Sequence, residues 1–336
     1  MNKKKNTKKK LLSLILLLLL TTIMLSSSTY AWFTANKTVT IESINVNVAT
    51  SSGLQISTDA KNWKSVITNT DITNPTDWAA NTNQFPSMLV PVSTAGDVNS
   101  TTGQLYMFSG DVGTTNGEFS LTSSALTEAK GTTGSFIAFD MFLRTEAAGP
   151  IYLTTDSNVI NKADTDDKGL KNAARVAFVT QGNANSTTAP DTLRTLTNGS
   201  AGTGITSAAD VVIWEPNSDA HTAYGVAAAL EYYGLTTTEG TGKAPLAYDG
   251  VFAAINAPVL LTQANATNHS ESFKAVTTLK TVVAQDTYTQ LITLKAGVTK
   301  IRVYLWVEGQ DVDCENNASG SDITYNIVLS QNASAA

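Results

Sequence analysis

The feature that most constrains the fold is a strict alternation of apolar and other side chains in residues 300–307. One face of this stretch carries Ile301, Val303, Leu305 and Val307, and the other carries Arg302, Tyr304 and Trp306. Residues 323–329 repeat the alternation, and residues 39–48 show it near the other end of the chain. A period of two is that of a β-strand, in which successive side chains point to opposite faces. The sequence therefore predicts strands at both ends of the chain, each with one face in a core.

Several shorter stretches are also typical of strands, and runs rich in Gly, Asn, Thr and Ser separate them. They are residues 54–57, 105–108, 136–144, 151–154, 173–180, 211–214, 274–284 and 287–294. We expect residues 39–48 and 54–57 to form an opening strand pair, residues 136–154 to have hairpin character, and residues 110–134 to be a polar passage. One short helix is predicted in residues 220–233. The pattern favours an all-β fold, an antiparallel β-sandwich with long polar loops, of which a jelly roll is one form.

Residues 1–31 have the layout of a secretory signal peptide. Six lysines precede an apolar run over residues 11–20, and small side chains at Thr29 and Ala31 suit cleavage by signal peptidase between Ala31 and Trp32. The alternative is a retained anchor, but the apolar run is shorter than the ~20 residues that span a bilayer. We expect a secreted protein, extracellular or at the cell surface, with no stable membrane anchor after cleavage. Residues 32–336 would then form one large β-sandwich domain or two closely packed subdomains.

The charge balance narrows the range of partners. The whole chain has 22 basic and 28 acidic residues, and cleavage would remove six lysines, leaving 16 basic residues against 28 acidic ones. Nucleic-acid binding needs clustered Lys and Arg, so this acidic chain is not expected to bind nucleic acid. Cys314 is the single cysteine, which excludes an internal disulfide, and stability must come from burial of a core.

Motifs of catalysis are missing from the sequence. Its two histidines, His221 and His269, belong to no His-Glu-x-x-His motif, and there is no Gly-x-Ser-x-Gly elbow. Cys314 lies among acidic residues that would raise the pKa of its thiol and weaken it as a nucleophile. The sequence therefore predicts a protein that is not an enzyme.

An acidic loop follows the strong strand that ends at Val307. Its four carboxylates are Glu308, Asp311, Asp313 and Glu315. Oxygen ligands on a loop suit Ca²⁺, so these residues are a candidate calcium site, and no other cofactor is expected. The alternative is a solvated acidic loop whose side chains cap backbone amides.

Aromatic residues in the polar regions allow two interpretations. Trp63, Trp78, Tyr232 and Tyr233 could stack on sugars, as in an adhesin or a carbohydrate-binding module. The alternative, which the lack of a coordinated pattern favours, is that they anchor loops to a sheet.

Two stretches resemble a known group of proteins. Residues 29–34, Thr-Tyr-Ala-Trp-Phe-Thr, followed by Asn36-Lys37-Thr38-Val39, resemble the SipW-type signal junction of exported Firmicutes proteins, the group that includes TasA and the camelysins. The C-terminal Trp306-x-Glu308-Gly309-x-Asp311-x-x-Cys314 resembles the ending of uncharacterised Firmicutes proteins with such signals. The two stretches cover about 20 and about 25 residues of the chain.

The resemblance implies a secreted, Gram-positive structural protein with a jelly-roll sandwich that self-associates into biofilm matrix fibres. In such fibres the mature N-terminal segment pairs as a strand with the neighbouring subunit, which is β-augmentation. The residues implied in this assembly strand are Trp32, Phe33, Val39, Ile41, Ile44, Val46 and Val48. The alternative is an ordinary first strand within its own sheet. Camelysins have been classed as metalloproteases, but the chain lacks the ligand pattern for that activity.

Overall fold

A computed structural model describes residues 38–49, 53–161, 168–197, 211–217, 221–232, 249–260, 271–276, 279–280, 288–315, 318 and 320–334, without the side chains of residues 228–232 and 279–280. The predicted signal peptide, Ala31, Trp32 and Phe33 lie outside these residues. The described part of the chain contains nineteen strands and three short α-helices. The prediction of an all-β fold is confirmed.

The first sheet, sheet A, contains both ends of the described chain. Its strands are β1 (Val39–Val48), β3 (Val66–Thr68), β4 (Met88–Leu89), β9 (Gly149–Leu153), β10 (Asn158–Asn161), β17 (Thr289–Leu294) and β19 (Asp322–Ser330). The main order is β17-β9-β19-β1-β3, with β10 paired to β19 and β4 paired to β1. β1 and β19 run parallel and pair from Thr40 opposite Asp322 to Val48 opposite Leu329, with a shift of register between Ile41 and Ser43.

The second sheet, sheet B, lies at the centre of the molecule. Its strands are β2 (Gln55–Ser57), β8 (Ile137–Thr145), β11 (Ala174–Ala184), β12 (Val211–Trp214), β16 (Leu279–Lys280) and β18 (Gly297–Val307). The order is β16-β12-β11-β18-β8-β2, and β18 pairs antiparallel with β11 on one side and β8 on the other. All eleven residues of β18 are buried, which indicates that sheet B is covered on both faces.

Sheets A and B pack face to face, and the core between them follows from the alternation in the sequence. From β18 this core receives Ile301, Val303, Leu305 and Val307. From sheet A it receives Ile323, Tyr325, Ile327 and Leu329, together with Val39, Ile41, Ile44, Val46 and Val48. The period-two patterns thus correctly predicted which side chains of these strands face this core, although the opposite face of β18 is buried as well.

A third layer covers the other face of sheet B. Sheet C contains β5 (Val92–Ser93), β6 (Met107–Thr115), β7 (Glu118–Leu126) and β14 (Ile255–Leu260), and a small separate pair is formed by β13 (Asp249–Val251) and β15 (Phe273–Ala275). Tyr304 and Trp306 of β18 pack against this layer, in a second core with Met107. Arg302 on the same face forms buried ion pairs with Asp140 (Nη1–Oδ1, 3.0 Å) and Glu128.

Three local predictions are wrong. β1 and β2 are not paired, because β1 lies in sheet A and β2 in sheet B. β8 and β9 form no hairpin: β8 pairs with β18 and β2, whereas β9 pairs with β17 and β19. The turn between them therefore carries the chain from one sheet to the other. The polar passage at residues 110–134 instead contains most of the long β6–β7 hairpin.

The helices are short and lie in the connections. They are α1 (Asn69–Thr73), α2 (Pro190–Arg194) and α3 (Ala223–Tyr232), and a 3-10 turn (Leu170–Ala173) precedes β11. α3 confirms the helix predicted in residues 220–233 and is ten residues long. The 3-10 turn, the start of α3 and the loop after β18 meet at one place, which is the candidate site.

Candidate functional site

The acidic loop after β18 is buried. The exposed fractions of Glu308, Asp311, Asp313 and Glu315 are 0%, 5%, 0% and 0%. The loop is therefore not the solvated loop of the alternative, although two of its carboxylates do cap backbone amides of the loop itself. Glu308 Oε1 accepts a hydrogen bond from the Gln310 amide (2.9 Å), and Asp311 Oδ1 accepts one from the Asp313 amide (2.8 Å).

Arg175 of β11 supplies the positive charge at this loop. Its fully buried guanidinium forms ion pairs with Asp311 (Nη2–Oδ2, 2.6 Å) and Glu215, and Nη1 donates to the carbonyl oxygen of Asn172 (2.7 Å). A buried guanidinium is tolerated only where carboxylates and carbonyls satisfy its donors. Burial raises the pKa of Glu215 to about 7, with the charge of Asp311 adding to the rise and that of Arg175 opposing it.

Asp313 ties together three segments of the chain. Its Oδ1 accepts hydrogen bonds from the amide (3.0 Å) and hydroxyl (2.6 Å) of Thr222, which caps the first turn of α3. Its Oδ2 accepts one from Asn172 Nδ2 (3.1 Å) in the 3-10 turn and lies 3.0 Å from Nδ1 of His221. A carboxylate at the start of a helix also interacts favourably with the helix dipole.

The charge of Asp313 acts on His221. Burial by itself would lower the pKa of the imidazole, but the hydrogen bond that the imidazole donates to Asp313 and the charges of Asp311, Asp313 and Glu215 outweigh burial and raise it. The hydrogen bond therefore favours the protonated imidazolium.

Two glycines, Gly169 before the 3-10 turn and Gly225 in α3, allow these two segments to approach Asp313 closely. A Cβ on Gly169 would lie 2.7 Å from Asp313 Oδ1, and one on Gly225 would lie 2.6 Å from the same atom. Gly169 also has a positive φ of 91°, which an L side chain rarely adopts.

Glu315 differs from its neighbours. Its carboxyl oxygens are both buried, and neither has a hydrogen-bond partner among the described residues. Burial, and then the charge of Asp313, raise its pKa to about 8. Within the described residues, His221, Asp311 and Asp313 have candidate metal-binding atoms within 4.8 Å of one another. The oxygens of that group already accept the hydrogen bonds of Arg175, Thr222, Asn172 and the loop backbone, so the group is built as a polar network.

The sequence indicated only part of this network. It identified the four loop carboxylates but not Asn172, Arg175, Glu215, His221 or Thr222. One signal was present: Arg175 stands alone in the apolar run Ala-Ala-Arg-Val-Ala-Phe-Val, and a buried arginine requires a carboxylate partner. Cys314 is buried in the main core, in keeping with a structural role.

The two tryptophans of the polar regions, Trp63 and Trp78, pack against other side chains of the protein. Both contact the small core around Phe142, where Trp78 lies 5.9 Å from the Phe142 ring. The guanidinium of Arg144 lies 4.2 Å above the Trp63 ring, and that of Arg194 lies 5.4 Å from the Trp78 ring. This favours the loop-anchor interpretation over a sugar platform. The side chain of Tyr232 and all of Tyr233 lie outside the described residues.

The strand β1, which carries five of the residues implied in assembly, is paired along both edges. β19 lies on one side, and β3 and β4 lie on the other. The Ala49 amide donates to Leu329 O (2.9 Å), and the Val48 amide donates to Ser65 O (2.9 Å). Within the single chain, β1 is therefore an ordinary first strand that pairs in its own sheet.

The chain has no match among protein-family models, among curated proteins or among solved structures. In the described residues there is no helix that is both long enough and apolar enough to cross a membrane.

Proposed function

We propose that this chain is a secreted structural protein whose copies assemble into extracellular fibres by exchanging the strand β1. The observation that carries the proposal is the position of β1: it is the first strand of the described chain, and it lies between β19 and β3 in the sheet. An initial strand can leave its own sheet without any other element having to be threaded past it. The signal-peptide pattern and the resemblance to SipW-type matrix proteins support the extracellular setting.

Exchange would preserve every interaction of the strand. A copy of β1 from a neighbouring molecule would meet the same edges of β19 and β3, so its backbone would form the same hydrogen bonds. Its inward side chains would fill the same positions between sheets A and B. The exchange is head to tail, since each molecule gives its own strand to one neighbour and receives one from another. A head-to-tail interface whose rotation does not close into a ring produces a filament, which is the form that we propose.

The position of β1 between β19 and β3 must stay occupied, by the molecule's own strand or by that of a neighbour. Val39, Ile44 and Val46 are completely buried, and Ile41 and Val48 nearly so. Leaving a buried aliphatic side chain of this size exposed costs about 1.5–3 kcal/mol. A molecule that has given its strand away without receiving another would therefore be unstable, which favours long filaments over open ends.

The experiment is negative-stain imaging and sedimentation of the mature chain, residues 32–336, at rising concentration. We expect the wild-type protein to form filaments. We expect Ile44→Asp to prevent them, because it places a charge in the core between sheets A and B. The control is Glu42→Gln, an exposed position on the same strand. A wild-type protein that stays monomeric at high concentration, with and without Ca²⁺, would rule out the proposal. N-terminal sequencing of the exported form should identify Trp32 as its first residue.

A further inference from the structure

An open cleft lies at one end of sheet B, where β2 and β18 begin and β8 ends. Its volume is about 640 Å³, which is within the range of ~300–1,000 Å³ that is usual for ligand sites. The side chains that give it its polar character are those of Gln55, Arg144, Glu146, Asn185, Ser186 and Thr187. Among the described residues that line the cleft, none has a large apolar side chain. The cleft therefore suits a polar ligand.

Arg144 supplies a positive charge to this cleft. The chain has four arginines, and Arg175, Arg194 and Arg302 each form an ion pair with an aspartate. Within the described structure Arg144 forms hydrogen bonds and a ring contact but no ion pair. Burial lowers the pKa of its guanidinium, yet an arginine side chain in a protein stays protonated. Its charge is therefore available to an anionic ligand.

Neutral groups hold the guanidinium of Arg144 in a fixed orientation. Gln55 lies directly opposite on β2, and its Oε1 accepts hydrogen bonds from Nη2 and from Nε (2.8 Å) of Arg144. The guanidinium also lies over the ring of Trp63, 4.2 Å from its centroid, which is a cation–π contact. A guanidinium has five N–H donors, and those that remain on Nη1 and Nη2 match the two oxygens of a carboxylate. The site is thus oriented for a carboxylate before one binds.

The rest of the cleft is suited to hydroxyl groups. Asn185, Ser186 and Thr187 follow the end of β11 and are exposed along the cleft. Their amide and hydroxyl groups both donate and accept hydrogen bonds, as sugar hydroxyls do. Glu146 can accept from a further hydroxyl, and its negative charge disfavours a dianion such as a phosphate. A sugar that carries one carboxylate therefore matches the whole cleft.

We propose that this cleft binds a uronic acid unit of an acidic saccharide, with its carboxylate on Arg144 and its hydroxyls on Asn185, Ser186 and Thr187. Gln55 and Trp63 are positioning residues, because they act by holding the guanidinium. All of these residues belong to a single chain, so binding does not depend on the proposed assembly.

The test is titration calorimetry of the mature protein with trigalacturonic acid. We expect the wild type to bind it, and we expect its methyl ester, which lacks the charge, to bind at least about tenfold more weakly. Hydrogen bonds to a charged group contribute about 1.5–3 kcal/mol, so Arg144→Gln should weaken binding on the order of 10–100-fold. Lys274→Gln is the matched control, because it removes one exposed positive charge on β15 and should leave binding unchanged.

Arg144→Lys provides a second variant, which keeps the charge if Arg144→Gln does not fold. It should bind more weakly than the wild type, because an ammonium cannot form two parallel hydrogen bonds with a carboxylate. No binding by the wild type, equal binding by Arg144→Gln, or equal binding of the methyl ester would each overturn the proposal. Acetyl-trialanine carries a carboxylate without sugar hydroxyls, and binding as tight as that of trigalacturonic acid would overturn the saccharide assignment in favour of a peptide terminus.

Discussion

At the scale of the residue, the site depends on single side chains whose role follows from burial. Arg175 stands in an apolar strand, and its isolation there indicates a buried partner. The sequence could not identify that partner, because Asp311 is 136 residues away and Glu215 follows the end of another strand, β12. The sequence located the acidic loop correctly, but whether its carboxylates faced water or the interior depended on β5, the 3-10 turn and the start of α3, which contact the loop from distant parts of the chain.

Arg175→Met tests the charge balance. Removing the guanidinium leaves Asp311 and Glu215 buried without their partner, and breaking a buried pair in this way costs about 3–5 kcal/mol. We expect the free energy of unfolding in urea to fall by that order. Lys61→Met is the control, because Lys61 pairs with Asp77 at the surface, where both side chains are more than half exposed. Equal stability of the two variants would contradict the assigned role of Arg175.

The stability of the fold should depend on pH through Glu215. The folded-state pKa of about 7 lies above the ordinary value of 4.5, so the folded protein holds this proton more tightly than the unfolded chain does. The stability that this provides is complete below pH 4.5 and is lost as pH rises to about 7. This contribution to the free energy of unfolding is at most about 3 kcal/mol. Urea unfolding in EDTA should show this fall, and Glu215→Gln should make the profile flatter over the same window. A profile of unchanged slope in the variant would contradict the assignment.

At the scale of the element, strand existence was easier to predict than strand pairing. The alternating runs gave β1, β18 and β19, because a half-buried strand leaves a period of two in its sequence. The β6–β7 hairpin was missed, since its outer half is exposed and rich in Thr, Ser and Gly. Its turn, Asn116–Gly117, has positive φ at both residues (55° and 85°), which is the pattern of a type I′ hairpin turn. The Asn-Gly pair was the signal that could have identified it.

Gly225→Ala tests how closely α3 approaches the loop. In a helix, alanine is normally more stabilising than glycine. Here, however, the new Cβ would lie 2.6 Å from Asp313 Oδ1 and 2.8 Å from the carbonyl oxygen of Val312. The clash should outweigh the helix preference, and we expect a loss of about 1–3 kcal/mol in the free energy of unfolding. Gly113→Ala in β6 meets no atom within 4 Å and should change stability little. A Gly225→Ala protein as stable as the wild type would show that the approach is looser.

At the scale of the whole molecule, sheet B is the layer on which the others are built. Its inner face packs on sheet A, and its outer face packs on the layer that includes sheet C. The fold class could be predicted from the sequence, since composition and periodicity are local properties. The order of the strands could not, because pairs such as β1 with β19 join residues about 280 positions apart. The parallel pairing of the first and last described strands is the feature on which the proposed assembly depends.

Strand exchange is tested most directly by disulfide cross-links across β19. Asn47 of β1 lies opposite Val328, and Asn158 of β10 lies opposite Asn326. Neighbouring strands are about 4.7–4.9 Å apart, which a disulfide can bridge. The double variants Asn47→Cys/Val328→Cys and Asn158→Cys/Asn326→Cys would both be made with Cys314→Ala, allowed to assemble under reducing conditions, and then oxidised.

If β1 is exchanged, the first pair links different chains, and a denaturing gel without reductant shows a ladder of covalent oligomers. The second pair should give only monomers, because β10 and β19 remain in the same molecule. Monomers from both pairs, in a sample that contains filaments, would contradict exchange of β1 and would assign assembly to another surface.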